Sequence, residues 1–348
     1  MRLVDRRDRG LRAAAVLLEF PPHWLAAIQM SQHNGDTQGG VQVLEIEADE
    51  AGQRIDNYLV PRLKGVPKSR IYRLLRKGEI RVNKGRIKPD YRLKAGDQVR
   101  LAPIRLAEPP TRPVPGAALR ARLDRSILQE DSDFLVIDKP SGLAVHGGSG
   151  VSLGLIEALR ESRPDPFLEL VHRLDRGTSG CLLVARSRGS LRSLQKQMRS
   201  GSVEKTYLAL VAGRWPAGLD RVDAPLKRQL LASGDRIVRP SVEGKRAATG
   251  FRVVRRYDDA TLVEATLETG RTHQIRVHCQ LAGHPLAGDD KYGSDVFNEH
   301  MRRQGLRRLF LHAHRLRFRK PGTEDLVDIR SPLPDDLAKV LDKKVVLD

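Results

Sequence analysis

Two apolar runs separated by a single polar turn constrain this chain more than any other stretch. Phe167 to Val171 has strand character, Cys181 to Ala185 is a second apolar run, and His172-Arg173-Leu174-Asp175-Arg176-Gly177-Thr178-Ser179-Gly180 lies between them. A turn held between two buried segments is rigid, and functional groups concentrate on loops fixed in this way. Asp175 is the lone carboxylate of the turn, flanked by Arg173 and Arg176. Taken by itself the segment reads as a charged, solvated turn. Two stretches further along shift that balance.

The chain is long enough, at 348 residues, for two or three domains with substantial cores. Its net charge of +19 points to a polyanionic partner, most simply nucleic acid. Aromatic residues make up only 4%, too few to grip single strands mainly by stacking, so charge and shape are expected to carry the affinity. Cys181 and Cys279 sit in apolar segments without metal-ligand spacing, which predicts reduced, buried thiols and a cytoplasmic protein. No apolar run is long enough to span a membrane as a helix.

Residues 1–41 read as a disordered extension, with Met30 as an alternative start. A basic segment and the short apolar patch Ala13 to Leu18 suggest a signal peptide, but Asp5, Asp8 and Glu19 interrupt the pattern and no small-residue cleavage site follows. Next, Val41, Val43 and Ile46 suggest a strand, and Ile55, Tyr58, Leu59 and Leu63 recur at helical spacing with Pro61 near the helix end. Ser69 can cap a second helix with Ile71, Leu74 and Leu75 inside and Gly78 at its end. Its outer face carries Lys68, Arg70, Arg73, Arg76 and Lys77, a stripe suited to a phosphate backbone. Short strands at Ile80 to Val82 and Val99 to Leu101 follow.

The pattern Gln53-Arg54-Ile55-Asp56, Lys68-Ser69-Arg70-Ile71, Gly78-Glu79-Ile80-Arg81-Val82-Asn83 and Gly96-Asp97 resembles the S4 (αL) RNA-binding domain, assigned to residues 42–102. Prolines crowd residues 103–123, which read as a semi-extended linker. Residues 124–348 then form the larger domain.

Within it, Phe134 to Ile137 is a strand entering the turn Asp138-Lys139-Pro140-Ser141-Gly142. Leu191, Leu194 and Met198 mark a helix, and Lys205 to Val211 a strand with Lys205, Tyr207 and Ala209 on one face. Ala260 to Leu267 is another strand. Thr272 can cap a helix running to Leu281, ended by Gly283 and Pro285, with Ile275 and Cys279 on its inner face and Arg276 beside them. Histidines are frequent here, yet no His/carboxylate spacing matches a zinc or iron site. Gly-rich His146 to Gly150 lacks both the G-x-S-x-G partner of an esterase and the closing Lys-Ser/Thr of a phosphate loop.

The motif His172-Arg173-Leu174-Asp175-Arg176-Gly177-Thr178-Ser179-Gly180 resembles the signature of RluA-type pseudouridine synthases. Lys205-Thr206-Tyr207, Gly270 to His278 and Gly288-Asp289-Asp290-Lys291-Tyr292-Gly293 resemble that family's later motifs, in order. The resemblance covers roughly residues 42 to 340. It implies an α+β pseudouridine synthase fold, a mixed, largely antiparallel sheet flanked by helices. It also implies isomerisation of specific uridines in 23S rRNA, or in a large-subunit precursor, by a cofactor-free and metal-free enzyme. By the same resemblance Asp175 is the essential carboxylate, Arg276 its salt-bridge partner, and Tyr207 the residue that stacks on the uracil. Ile275 is part of the apolar wall, and Arg173 holds the space left by a flipped nucleotide. Arg70 and Arg73 of the S4-like unit are expected to bind the RNA backbone. No protein partner is evident, and a monomer is expected.

Two rivals remain. A glycosidase normally needs a second carboxylate as general acid, which this turn does not offer. An RNA-binding assembly factor acting through the S4-like unit alone leaves Asp175, Tyr207 and Arg276 without a purpose.

Overall fold

The computed structural model describes residues 41–63, 66–101, 103, 115–147, 153–230 and 236–347. Residues 1–40 of the expected N-terminal extension and residues 104–114 of the expected linker lie outside these residues. The chain divides into two compact units, Met1–Pro109 and Pro110–Asp348.

In the first unit, strands β1 (Gln42–Glu45), β2 (Arg81–Val82) and β3 (Gln98–Leu101) form an antiparallel sheet in the order β1-β3-β2. Helices α1 (Ile55–Arg62) and α2 (Lys68–Lys77) share its core, in which Ile55, Leu59, Ile71, Leu75 and Val99 are fully buried. Helix α2 is amphipathic: Ile71, Leu74 and Leu75 face inward while Lys68, Arg70, Arg73, Arg76 and Lys77 are exposed. Its start differs from expectation. Pro67, not Ser69, stands at the N-cap, because proline's fixed φ lets the helix begin one residue later without a side-chain cap. Gly78 ends it in the left-handed conformation, φ 71°.

The second unit begins with α3 (Ala117–Arg125). Leu123 of this helix is fully buried in the main core, so the latter part of the expected linker belongs to the compact unit instead. The remaining elements are β4 (Ile127–Glu130), β5 (Phe134–Lys139), α4 (Leu155–Ser162), β6 (Glu169–Leu170), β7 (Ser179–Ala185), α5 (Arg188–Ser200), β8 (Glu204–Ala212), β9 (Arg221–Asp223), β10 (Leu226–Leu230), β11 (Arg236–Pro240), β12 (Ala248–Tyr257), β13 (Ala260–Leu267), α6 (Gln274–Leu281), α7 (Asp295–Arg303), β14 (Leu311–Arg319), β15 (Leu326–Arg330), α8 (Asp335–Leu341) and β16 (Val346–Leu347).

Among the described residues one large sheet runs in the order β16-β12-β13-β8-β14-β7-β5-β4, with β6, β9 and β15 attached along it and β10-β11 as a separate hairpin. All its pairs are antiparallel except β7 with β14, so the sheet is mixed and largely antiparallel. The central strands are covered on both faces. Along β7, Leu182 and Val184 enter one core while Cys181, Leu183 and Ala185 enter the other, which is why this segment is apolar throughout instead of alternating. Gly180, at φ 107°, allows the close parallel approach, since a Cβ there would lie 2.3 Å from the Ala313 carbonyl oxygen.

Candidate active site

The turn carrying Asp175 is built by pairing on both sides. Strand β6 runs antiparallel to β7, Glu169 opposite Ala185 and Leu170 opposite Val184, and the Val171 amide continues the ladder to the Leu183 carbonyl. Residues 172–178 therefore leave and return to one strand pair. Leu174 is buried in the core, and the Thr178 amide donates to the Asp175 carbonyl, which closes a tight turn under the carboxylate.

A second turn, after β5, clamps the first from below. Lys139 is fully buried and donates from Nζ to the carbonyls of Pro140 (2.8 Å), Leu143 (2.8 Å) and Arg176 (3.2 Å). Ser141 Oγ donates to the Gly177 carbonyl, and Gly142 exchanges bonds with Arg176 through its amide and its carbonyl. Burial pushes the Lys139 ammonium down to about 7, with the Asp175 charge acting in the opposite sense. The sequence shows this segment only as a turn. A buried lysine directed at backbone carbonyls has no local signature.

Asp175 opens onto a cavity of about 740 Å³. Arg173, Tyr207, Ile275 and Arg276 also line it, together with Lys205 and His273. Five of the seven sequence-predicted site residues thus converge from three separate elements. Arg70 and Arg73 lie on the exposed face of α2 in the other unit. Tyr207 reaches the cavity from β8, whose Ala209 and Val211 share its face and pack in the same core. Its hydroxyl pKa is raised by burial first and by the nearby Asp175 charge second. Ile275 and Cys279 lie on the inner face of α6. Arg173 is exposed and forms no ion pair among the described residues.

Arg276 pairs with Asp175 and, more closely, with a second carboxylate, Asp289. Its Nε and Nη2 each bond an oxygen of Asp289 at 2.7 Å, while Nη1 reaches Asp175 Oδ2 at 3.5 Å. Burial works against the guanidinium charge, and the Asp289 bonds together with the Asp289 and Asp175 charges more than offset it, so the Arg276 pKa is raised. Asp289 is itself lowered against the same burial, through Arg276 and the amides of Lys291 and Tyr292. The start of α6 also departs from expectation. His273, not Thr272, occupies the N-cap, in a left-handed conformation (φ 55°, ψ 21°) and without a side-chain cap. Buried Gln274 organises this turn instead, accepting from the Arg271 amide and the Thr269 hydroxyl and donating to Ala248 and Thr249.

Other histidines serve packing. His278 contacts Thr249 Oγ1 and the Ala224 carbonyl, His312 contacts Ser179 Oγ and the Ser331 carbonyl, and His172 accepts from the Leu183 amide. Both cysteines are buried and free. Among the described residues no group of histidine, cysteine and acidic side chains could hold a metal ion, and no helix is long and apolar enough to cross a membrane.

Asp175, Arg276 and the rest of the cavity lining except Leu311 stand within the span, residues 133–281, that matches the RNA pseudouridylate synthase family; residues 53–99 match the S4 domain. The ribosomal large subunit pseudouridine synthase C of Pasteurella multocida (strain Pm70) is 57% identical over 303 residues, 86% of this chain and 93% of that protein. The same-named protein of Escherichia coli (strain K12) is 56% identical over 307 residues, covering 87% and 96% of the two chains. Among solved structures, human RNA pseudouridylate synthase domain containing 1 superposes with a TM-score of 0.53 at 28% identity, covering 67% of this chain and 91% of that one. Human RNA pseudouridylate synthase domain containing 4 gives a TM-score of 0.51 at 27% identity, covering 65% and 95%. With a relative more than half identical along most of both chains, and with Asp175 and Arg276 meeting in one cavity, this chain belongs to the RluA-type RNA pseudouridine synthases and carries an S4 domain in front of the synthase fold.

Proposed function

We propose that the protein isomerises specific uridines of 23S rRNA, or of a large-subunit precursor, to pseudouridine, with Asp175 as the essential carboxylate. The observation that carries this reading is the convergence of Asp175, Arg276 and Tyr207 on one cavity, in a chain so similar to synthases named for the large ribosomal subunit.

The reaction breaks the C1′–N1 bond, turns the detached uracil and joins C1′ to C5. Atoms are conserved, so the residues need only bind, orient and move protons. Asp175 acts as nucleophile toward the ribose or as base at C2′; both routes need a carboxylate at the cavity wall. Arg276 orients it and balances its charge. The Tyr207 ring stacks on the uracil, with Ile275 completing the apolar wall. Because burial keeps the Tyr207 hydroxyl protonated, any part it takes in removing the C5 proton requires passing on its own phenolic proton.

A uridine within folded RNA reaches Asp175 only if it is flipped from the stack. Arg173, exposed and without an ion pair among the described residues, is suited to hold the vacated space or the displaced backbone. Arg70 and Arg73 bind backbone phosphates and contribute affinity, not chemistry. The protein acts as a monomer in the cytoplasm.

Pseudouridine mapping on unmodified 23S rRNA, with wild type and Asp175→Asn in parallel, tests this. Modified positions with the wild type alone are expected. No product from either, with RNA binding intact, would replace it with the assembly-factor reading.

A further inference from the structure

His273 occupies a backbone conformation that few residues other than glycine adopt. Among the described residues only Asn83 and Lys84, both in one surface turn, share its positive φ without being glycine. Such strain persists where the surroundings over-determine it, and here it aims a side chain into the cavity. The imidazole does not cap α6. It lies between Tyr292 and Asp175.

The hydrogen-bond chain favours one tautomer. Val238, in β11, can only donate from its amide, and it does so to Tyr292 Oη at 2.9 Å. The arrangement that also gives the Tyr292 hydroxyl proton an acceptor directs it to its other partner, His273 Nδ1, at 2.8 Å. With Nδ1 accepting, a neutral imidazole carries its proton on Nε2. Nε2 faces Asp175 Oδ2 at 3.8 Å, the same oxygen that Arg276 Nη1 approaches at 3.5 Å. Facing the ring are the carboxylates of Asp175 and Asp289, the cations Arg276 and Lys291, and the Tyr292 hydroxyl. Burial disfavours the charged form.

We infer that His273 is a positioning residue: its Nε2–H, oriented by Tyr292, joins Arg276 in restraining Asp175 Oδ2 and so presents Oδ1 to the ribose. Both contacts are longer than ordinary hydrogen bonds, 3.8 and 3.5 Å, and are expected to shorten when the nucleotide fills the cavity. A neutral donor restrains the carboxylate without the full second cation that would blunt its reactivity. The inference rests on the role proposed for Asp175.

Two measurements on the full chain test it. Nitrogen-15 NMR at neutral pH is expected to show His273 with Nε2 protonated and Nδ1 bare, and Tyr292→Phe to shift it toward the other tautomer. Wild-type protein showing Nδ1–H or an imidazolium would overturn the inference, whatever the variants do. In single-turnover assays, His273→Ala and His273→Gly are expected to lower the chemical rate about 10- to 100-fold, with RNA affinity within about twofold. His273→Gln, which keeps an N–H donor, is expected to recover part of that rate. Full activity in His273→Ala would overturn the proposal, as would recovery in His273→Gly, which would assign the loss to backbone strain. Activity in Asp175→Asn would instead remove the reading of the site while leaving the tautomer result standing.

Discussion

Asp289, only 1% exposed, holds Arg276 through two 2.7 Å bonds, and the same guanidinium extends to Asp175 at 3.5 Å. One cation thus serves two carboxylates, the buried one fixing its direction and the cavity-facing one receiving its field. The cavity-facing carboxylate is thus linked, through Arg276, to a residue that does not line the cavity.

Asp289→Asn keeps the shape of this side chain and removes its charge. Leaving Arg276 buried with its main partner neutralised is expected to cost about 3–5 kcal/mol of stability. Urea unfolding measures that cost. Turnover of the folded fraction is expected to fall as well, because Arg276 is then free to collapse onto Asp175; unchanged turnover would separate the pair from the chemistry.

Lys139→Met removes the ammonium that gathers three carbonyls beneath the Asp175 turn. Unsatisfied buried acceptors are expected to cost about 2–4 kcal/mol in total. The rate is expected to drop further than the affinity for RNA, since the turn that loosens carries the carboxylate. Thermal melts and single-turnover rates on one preparation check both parts.

Acid should destabilise the synthase unit through the half-buried His172 and the buried His312. Burial pushes His172 down to about 3, aided by the Lys205 charge, and His312 down to about 4. Below about 6.5 the unfolded chain takes up these protons while the folded chain does not, so stability falls with pH from about 6.5 to about 3. The limiting slope is about 1.4 kcal/mol per pH unit for each histidine. Melting temperatures across this range, with His312→Gln expected to show the shallower acid limb, measure it.

Arg70→Ala with Arg73→Ala removes two exposed cations from α2. The dependence of log K on log salt for 23S rRNA fragments is expected to flatten by about 1.4 to 1.8. The rate at saturating RNA is expected to stay unchanged. A lower saturated rate would give α2 a part in the chemistry.

Much of the fold is legible along the chain because it depends on neighbours. The all-apolar run of β7, the inward Ile71, Leu74 and Leu75 of α2, and the shared face of Tyr207 and Ala209 each follow from spacing and burial. Helix starts are less legible. Ser69 and Thr272 have capping chemistry, yet Pro67 and the left-handed His273 take those positions, because one is preset by its ring and the other is held by contacts outside its own turn.

The sequence by itself offered the residues, a lone carboxylate on a turn, an arginine beside an apolar helix face and a basic helix in front, and its resemblance to a family supplied the chemistry expected of them. Tertiary structure alone decided who holds whom. Asp175 and Arg276 are 101 residues apart, Lys139 reaches a carbonyl 37 residues away, and Val238 meets Tyr292 across 54. Buried charges and hydrogen bonds take their partners from whatever the packed core brings within 3 Å or so, and that proximity is a property of the assembled sheet, not of any stretch of chain.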